Sequence, residues 1–189
     1  MSTILSDGSG GGNKGKIDKY NRAATISTIQ SNLQFNSALS SLAECYIFST
    51  NGFISITTTD TETGIFYVKN TSLSRDLYLS TIRTCGTQVQ KVTMYKNPTG
   101  GTLVTDETAG QATNLNFKSN NTAQASVFKG ANGKTVSGGT HLGQHINNIG
   151  HSTESTQDAL ILGRNDSFAI TFELAVAGTV CVACEAYFI

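Results

Sequence analysis

A chain of 189 residues is long enough for one domain with its own hydrophobic core, so it needs no metal or disulfide to fold. Only 14% of its residues are charged, and thirteen basic residues balance thirteen acidic ones. This balance argues against nucleic acid or an anionic membrane surface as a partner held by bulk electrostatic attraction. Zero net charge instead favours association between protein surfaces.

The N-terminus lacks the basic and apolar regions of a secretory signal, and no run of apolar residues is long enough to predict a membrane span. The sequence therefore predicts synthesis in a cytoplasm. In such a chain the four cysteines, Cys45, Cys85, Cys181 and Cys184, are expected to be reduced thiols and not a disulfide framework.

Residues 1–22 differ in composition from the rest of the chain. A glycine-rich tract is followed by a basic segment, and no apolar periodicity would hold either against a core. The pattern predicts a flexible arm that orders on a partner, with a β-domain over residues 23–189. The residues expected to bind that partner are Lys14, Lys16, Lys19, Tyr20 and Arg22.

The same tract nearly matches a phosphate-binding loop, since residues 10–16 read GGGNKGK. Such a loop needs a preceding strand, a following helix, and a Ser or Thr after the lysine. Ile17 occupies that last position, and only a short polar tail precedes the glycines. An arm is therefore favoured over a nucleotide site.

From about residue 24 the pattern predicts short β-strands separated by turns, with a short helix over residues 30–44. Strands are expected at 64–68 and 77–82. Two turn motifs predict hairpins, Asn51-Gly52 and the proline-containing segment 97–101. These hairpins would join 46–50 to 53–59, and 89–96 to 102–105.

The C-terminal segment has the longest alternation of apolar residues. Two runs flank a turn at Gly178: Phe168, Ile170, Phe172 and Leu174 before it, and Val180, Val182, Cys184, Ala186 and Phe188 after it. This alternation predicts a final hairpin with one buried and one wetter face. Together the strands predict an all-β fold, an antiparallel β-sandwich or jelly roll.

The segment 130–165 is rich in Gly, Asn, Ser and Thr, and is predicted to be a long functional or interface loop. It contains all three histidines, His141, His145 and His151. Its glycines disfavour the helix that would place His141 and His145 on one face, so a surface loop is favoured over a metal site within one chain. A metal held by one histidine from each of three copies is left open.

No catalytic constellation is found in the sequence. Cys181 and Cys184 have CxxC spacing, but residues three apart on a strand point to opposite faces, so Cys184 is assigned to the core. No Gly-x-Ser-x-Gly elbow lies between a strand and a helix, and no carboxylate pair is nominated. The sequence predicts a protein that is not an enzyme and uses no cofactor.

Three stretches of the chain resemble structural proteins of tailed phages. They are TMYKNPTGGTL at 93–103, NLNFKS at 114–119 continuing with FKGANGKTVSGG at 128–139, and LILG at 160–163 with the alternating C-terminus. The likeness spans roughly residues 45–189 and leaves the arm uncovered. It implies a virion component built as a β-sandwich or jelly roll that oligomerises, often as a trimer, on the capsid or tail.

Combined with the arm, this resemblance leads us to expect a capsid decoration or cement protein. It would bind the major capsid protein through residues 1–22 and assemble as a homotrimer, with no nucleic-acid or membrane partner. The alternative is a receptor-binding or fibre module whose segment 130–165 contacts a host glycan or protein. That segment has no aromatic residue, which argues against direct sugar stacking.

Overall fold

A computed structural model describes residues 4–6, 14–16, 44–105 and 108–189, with only the backbone for 4–6, 14–16, 151 and 153–159. The chain divides into two units, Met1–Phe35 and Asn36–Ile189. The helix predicted over residues 30–44 lies outside the described residues, apart from Glu44. The domain boundary predicted after residue 22 stays a prediction.

The first unit contains a short antiparallel ladder. Strand β1 (Ile4–Ser6) pairs with β2 (Lys14–Lys16), so that Ile4 lies opposite Lys16 and Ser6 opposite Lys14. Most of the arm predicted over residues 1–22 lies outside the described residues, and its ordering on a partner stays a prediction.

Nearly all of the regular elements described in the second unit are β-strands. Its elements are β3 (Cys45–Ser49), β4 (Ile54–Ile56), β5 (Thr63–Asn70), β6 (Leu77–Gly86), β7 (Gln90–Lys96), α1 (Thr102–Thr105), β8 (Gln111–Asn114), β9 (Ala125–Lys129), β10 (Thr140–Asn147), β11 (Gly150–Leu162), β12 (Ser167–Leu174) and β13 (Gly178–Phe188). Among the described residues, no helix has the length and apolar content that a bilayer crossing requires.

The strands form two antiparallel sheets that pack face to face. The five-stranded sheet has the order β10-β7-β12-β5-β9. The second sheet has the order β11-β6-β13-β3-β8, and β4 also pairs with β13. The predicted antiparallel β-sandwich is confirmed.

The connections follow a jelly-roll order. With β4, β8 and β9 set aside, eight strands of this unit remain, and the chain changes sheet at every step between them except from β7 to β10. Numbered in sequence, strands one, eight, three and six make one sheet, and strands two, seven, four and five make the other. Strands β8 and β9 extend one sheet each, on the side opposite β10 and β11.

The core lies between the sheets and is rich in aromatic side chains. Five phenylalanines are almost completely buried there: Phe48, Phe66, Phe168, Phe172 and Phe188. Burying each side chain of this size contributes about 1.5–3 kcal/mol. This layer supplies most of the drive to fold.

The C-terminal strands form as predicted, but they do not pair with each other. The inward residues Val180, Val182 and Cys184 are buried, which confirms the alternation. The hairpin is wrong, because β12 lies in the five-stranded sheet and β13 in the other, as a jelly roll requires. The face of β12 expected to be wetter is also partly buried, since Ala169 lies under Leu103 of α1.

Both earlier hairpin predictions are also wrong. The segments on either side of Asn51-Gly52 pair with the same strand, β13, so the chain bends at this dipeptide and does not reverse direction. Its two residues have positive φ, 53° and 113°. After β7 the chain leaves the sheet and forms α1, because Leu103 is buried against Tyr67 on the outer face of the five-stranded sheet.

The loop predicted over residues 130–165 contains two strands, β10 and β11. Both are edge strands with largely polar sequences, and most side chains of β10 are exposed, so neither strand has the apolar alternation that marks a buried strand. The turn at residues 148–149 carries the chain from one sheet to the other.

Candidate functional site

Strand β10 forms one of the two edges of the five-stranded sheet. It pairs with β7 on one side, and no described residue pairs with its other side. Strand β11 is the edge strand of the second sheet on the same side of the sandwich, and its outer side likewise pairs with no residue that the structure describes. Two open edges, joined by a short turn, therefore lie next to each other.

The β10 edge lacks most of the features that protect sheet edges from pairing with other chains. Thr140–Asn147 contains no charged residue and no proline. Large aliphatic side chains are exposed on it and on the adjoining turn, with exposed fractions of 44% for Leu142, 73% for Ile146 and 67% for Ile149. Natural edges are usually guarded by charge, proline or a bulge, and only a bulge at Leu142 is present here.

That bulge separates the two histidines of β10. His141 lies opposite Tyr95, and their rings meet edge to face at 5.7 Å. After the register shift, His145 lies opposite Val92, a core residue. The two imidazoles therefore belong to opposite faces of the sheet and cannot share one metal ion within a chain.

Among the side chains that the structure describes, no three His, Cys, Asp or Glu residues cluster as a metal site. The side chain of His151 is not among them. A metal bound by histidines from three copies therefore stays a prediction.

A hydrogen-bonded group of polar residues lies on the outer face beside β10. The carboxylate of Glu62 accepts hydrogen bonds from the Tyr95 hydroxyl, at 2.9 and 3.1 Å to its two oxygens, and from the Thr171 hydroxyl. Gln144 Nε2 donates to Thr93 Oγ1 at 3.0 Å. Burial, together with the Glu62 carboxylate, raises the pKa of Tyr95 to about 12.

This group joins four parts of the chain. Glu62 precedes β5, Tyr95 lies on β7, Gln144 on β10 and Thr171 on β12. The hydroxyls of Tyr95 and Thr171 tie Glu62 to the sheet, and the bond from Gln144 to Thr93 holds β10 against β7. Sequence reasoning missed this group, because alternation shows which side chains share a face of one strand but not which strands are neighbours.

A second polar group lies between the sheets at the same end. Asn147 Nδ2 donates to Thr84 Oγ1 at 2.8 Å, and both residues are buried. The amide of Gln90 is completely buried nearby, and neither of its polar atoms has a hydrogen-bond partner among the described residues. A Cβ atom added at Gly86 would lie 2.5 Å from Gln90 Oε1, so the glycine makes room for this side chain.

The cysteines correct the prediction that all four are reduced. Cys85 on β6 and Cys181 on β13 lie opposite each other, with Cα atoms 5.1 Å apart, and form a disulfide. The spacing Cys181-x-x-Cys184 drew attention to the wrong pair, because the true partner is 96 residues away along the chain.

The other two cysteines are free and buried, and the assignment of Cys184 to the core is confirmed. Burial raises the pKa of the Cys45 thiol to about 11 and raises that of Cys184 as well. Both thiols therefore stay protonated at neutral pH, which disfavours metal binding or nucleophilic chemistry.

The residues predicted to bind a partner lie in the first unit. Lys14 and Lys16 are on β2, where only the backbone is described, and Lys19, Tyr20 and Arg22 lie outside the described residues. Their role stays a prediction. The strand conformation of Lys14–Lys16 differs from a phosphate-binding loop, where the lysine opens a helix.

Comparisons of the chain with family models, with curated proteins and with solved structures give no match.

Proposed function

We propose that this chain is a non-enzymatic structural protein of a phage virion, a capsid decoration protein that binds the major capsid protein and assembles as a homotrimer. It is made in the host cytoplasm and resides in the virion. The main support is a jelly-roll sandwich in which the edge strands β10 and β11 lie on one side, and in which β10 carries no charge. Such an edge is suited to contact with protein rather than with solvent.

The fold is compatible with this role without being sufficient for it. Jelly rolls occur in viral capsid and lectin domains, so the connectivity admits either an assembling or a sugar-binding protein. The low charge of the chain favours assembly, because neutral polar surfaces come together without desolvating ions.

Residues 1–22 are the proposed anchor to the capsid. Lys14, Lys16, Lys19 and Arg22 concentrate four positive charges in a short segment. On the capsid they would meet acidic groups of neighbouring subunits, and the ordering entropy of the arm would be offset by the large surface it covers. Several copies bound together would add avidity.

The test is a deletion of residues 1–22, with co-sedimentation on capsids of the major capsid protein as the readout. We expect the truncated chain to keep its thermal unfolding transition and to lose capsid binding. A full-length control in which Lys14, Lys16, Lys19 and Arg22 are replaced by Ser separates the charge of the arm from its length. Capsid binding that survives the deletion would eliminate the arm as the anchor.

A receptor-binding or fibre module is the second candidate, and one observation favours it. Segment 130–165 has no aromatic residue of its own, but the fold places Tyr95 against His141 beside Gln144. An aromatic ring next to amide and imidazole groups is a combination that sugars bind. Under this alternative, Tyr95→Ala abolishes binding of the purified chain to host cells, whereas Tyr78→Ala, on the other sheet, does not.

A further inference from the structure

The open edges at β10 and β11 indicate how copies of this chain assemble. The proposal rests on the self-assembly included in the proposed function. We propose that β10 of one copy adds as a strand to β11 of a second copy, so that these two edges are where copies of this chain meet.

The backbone at both edges is arranged for strand addition. Beyond the bulge at Leu142, β10 is paired to β7 in unbroken register over Gly143–Asn147. On the other side of the turn, β11 is paired to β6 in unbroken register over Gly150–Ser155. Each of these stretches therefore has one row of backbone N–H and C=O groups directed away from its sheet, and an extended strand satisfies such a row.

The side chains favour another protein strand over water. Leu142, Ile146 and Ile149 are exposed within a short stretch of chain that has no charged neighbour on β10. Exposed aliphatic groups grouped along an unguarded edge mark an interaction site. A nucleic acid or an anionic lipid would find no basic residue on this strand to hold it.

Charge disfavours one of the possible pairings, that of β11 with β11 of a second copy. Strand β11 carries Glu154 and Asp158, and β10 carries no carboxylate. Pairing β11 with its own copy would bring like charges together, which destabilises a ladder. Pairing β10 with β11 avoids this repulsion and uses both edges of every copy.

When each copy offers β10 to one neighbour and β11 to another, the contacts are heterologous, and such contacts close into a ring if the rotation between copies allows. The proposed trimer is the expected ring, with a mass of about 60 kDa, three times 20.0 kDa. Its core contact would bury Ile146, which is 73% exposed in the single chain.

The experiment measures the solution mass of the full chain by light scattering. We expect the wild type to form a ring of about 60 kDa and Ile146→Lys, alone or with Leu142→Lys, to reduce it about threefold to the monomer, because a lysine at the contact would have to be desolvated. The matched control is Phe117→Lys, which adds the same charge at a residue 90% exposed in the loop between β8 and β9. A wild type that is monomeric at every concentration, or an Ile146→Lys variant that stays trimeric, would overturn the proposal.

Hydrogen exchange adds a readout specific to the edge. In the wild-type oligomer, the β10 amides that point away from β7 should exchange slowly, and in Ile146→Lys they should exchange quickly. Unchanged exchange at β10 together with a changed mass would place the contact elsewhere and contradict the proposal. Thermal unfolding of each variant shows that the sandwich is intact.

Capsid binding is measured separately on the same variants. A trimer that does not bind capsids would count against the decoration role and leave the edge contact standing. A chain that binds capsids as a monomer would support the decoration role and contradict the contact between the β10 and β11 edges.

Discussion

Gln90 is a polar side chain enclosed by the core at the end of the sandwich. Its amide is fully buried without a hydrogen-bond partner among the described residues, and leaving such a group unsatisfied costs about 1–3 kcal/mol. Gln90→Met keeps the length of the side chain and removes the amide. We therefore expect the free energy of unfolding to rise by about 1 kcal/mol in urea denaturation.

Asn147 provides the matched comparison, because its amide is also buried but is bonded to Thr84. Asn147→Leu should lower the free energy of unfolding by about 1–2 kcal/mol, since the Thr84 hydroxyl loses its partner. If Gln90→Met also destabilised the protein, the amide of Gln90 would have to be bonded to buried water.

The disulfide between Cys85 and Cys181 cross-links adjacent strands across a long loop. Their separation of 96 residues means that the bond removes many conformations from the unfolded chain. We expect Cys85→Ser with Cys181→Ser to lower the free energy of unfolding by about 2–4 kcal/mol. A reducing agent should lower the unfolding midpoint of the wild type and leave that of the double variant unchanged, and equal sensitivity of the two proteins would contradict a disulfide between these cysteines.

At the scale of elements, Gly130 allows the backbone at the end of β9 to contact the start of β5 closely. A Cβ atom added there would lie within 1.8 Å of the Gly64 carbonyl oxygen, and the Gly130 N–H donates to Ile65 O at 2.7 Å. Gly130→Ala would push two backbones apart, so we expect a loss of about 3 kcal/mol or failure to fold.

Gly143 on β10 is the control for that substitution. A Cβ atom added at Gly143 meets only the end of the Met94 side chain, at 3.9 Å. Gly143→Ala should therefore change the unfolding midpoint little in the same thermal denaturation. Similar losses for the two variants would show that the glycines contribute only through the entropy of the unfolded chain.

Sequence patterns predicted the positions of strands well where one face is buried. They predicted poorly which strands pair with each other. The alternation around Phe168 and Val180 predicted β12 and β13, because the buried face of each strand is visible in its own sequence. Their placement in different sheets depends on strands far away in the chain, and no local pattern records that. Turn residues at Asn51-Gly52 misled for the same reason, since a positive φ serves a bend as well as a hairpin.

Elements whose stability comes from tertiary contacts were also missed. Residues 102–105 have the β-branched composition of a strand, but burial of Leu103 on the sheet favours a helical turn. The edge strand β10 lacks a buried face along much of its length, and β11 has a largely polar sequence, so the composition of both resembled that of a loop. The group around Glu62 was beyond prediction, because its members come from separate strands that only the fold brings together.

For the whole molecule, the ladder between β3 and β13 joins the beginning and the end of the sandwich. Such non-local pairing predicts slow folding, between about milliseconds and seconds. The chain must lose the entropy of loop closure before the contacts that stabilise the fold can form. Stopped-flow refolding from urea should be faster for the oxidised chain than for the reduced chain. The disulfide already holds Cys85 opposite Cys181 and with it the register of β6 and β13. Equal rates would mean that this pair of strands forms after the rate-limiting step.

The same ladder brings the two ends of the described sandwich to one corner. The N–H of Phe188 donates to the carbonyl of Glu44 at 3.2 Å, so the backbone nearly closes into a circle. A chain with adjacent ends can be circularly permuted. A short linker from residue 189 to residue 44, with new termini opened in the turn at residues 148–149, would retain every strand pair of the two sheets. In that permuted chain, strands that are now first and last would be made one directly after the other.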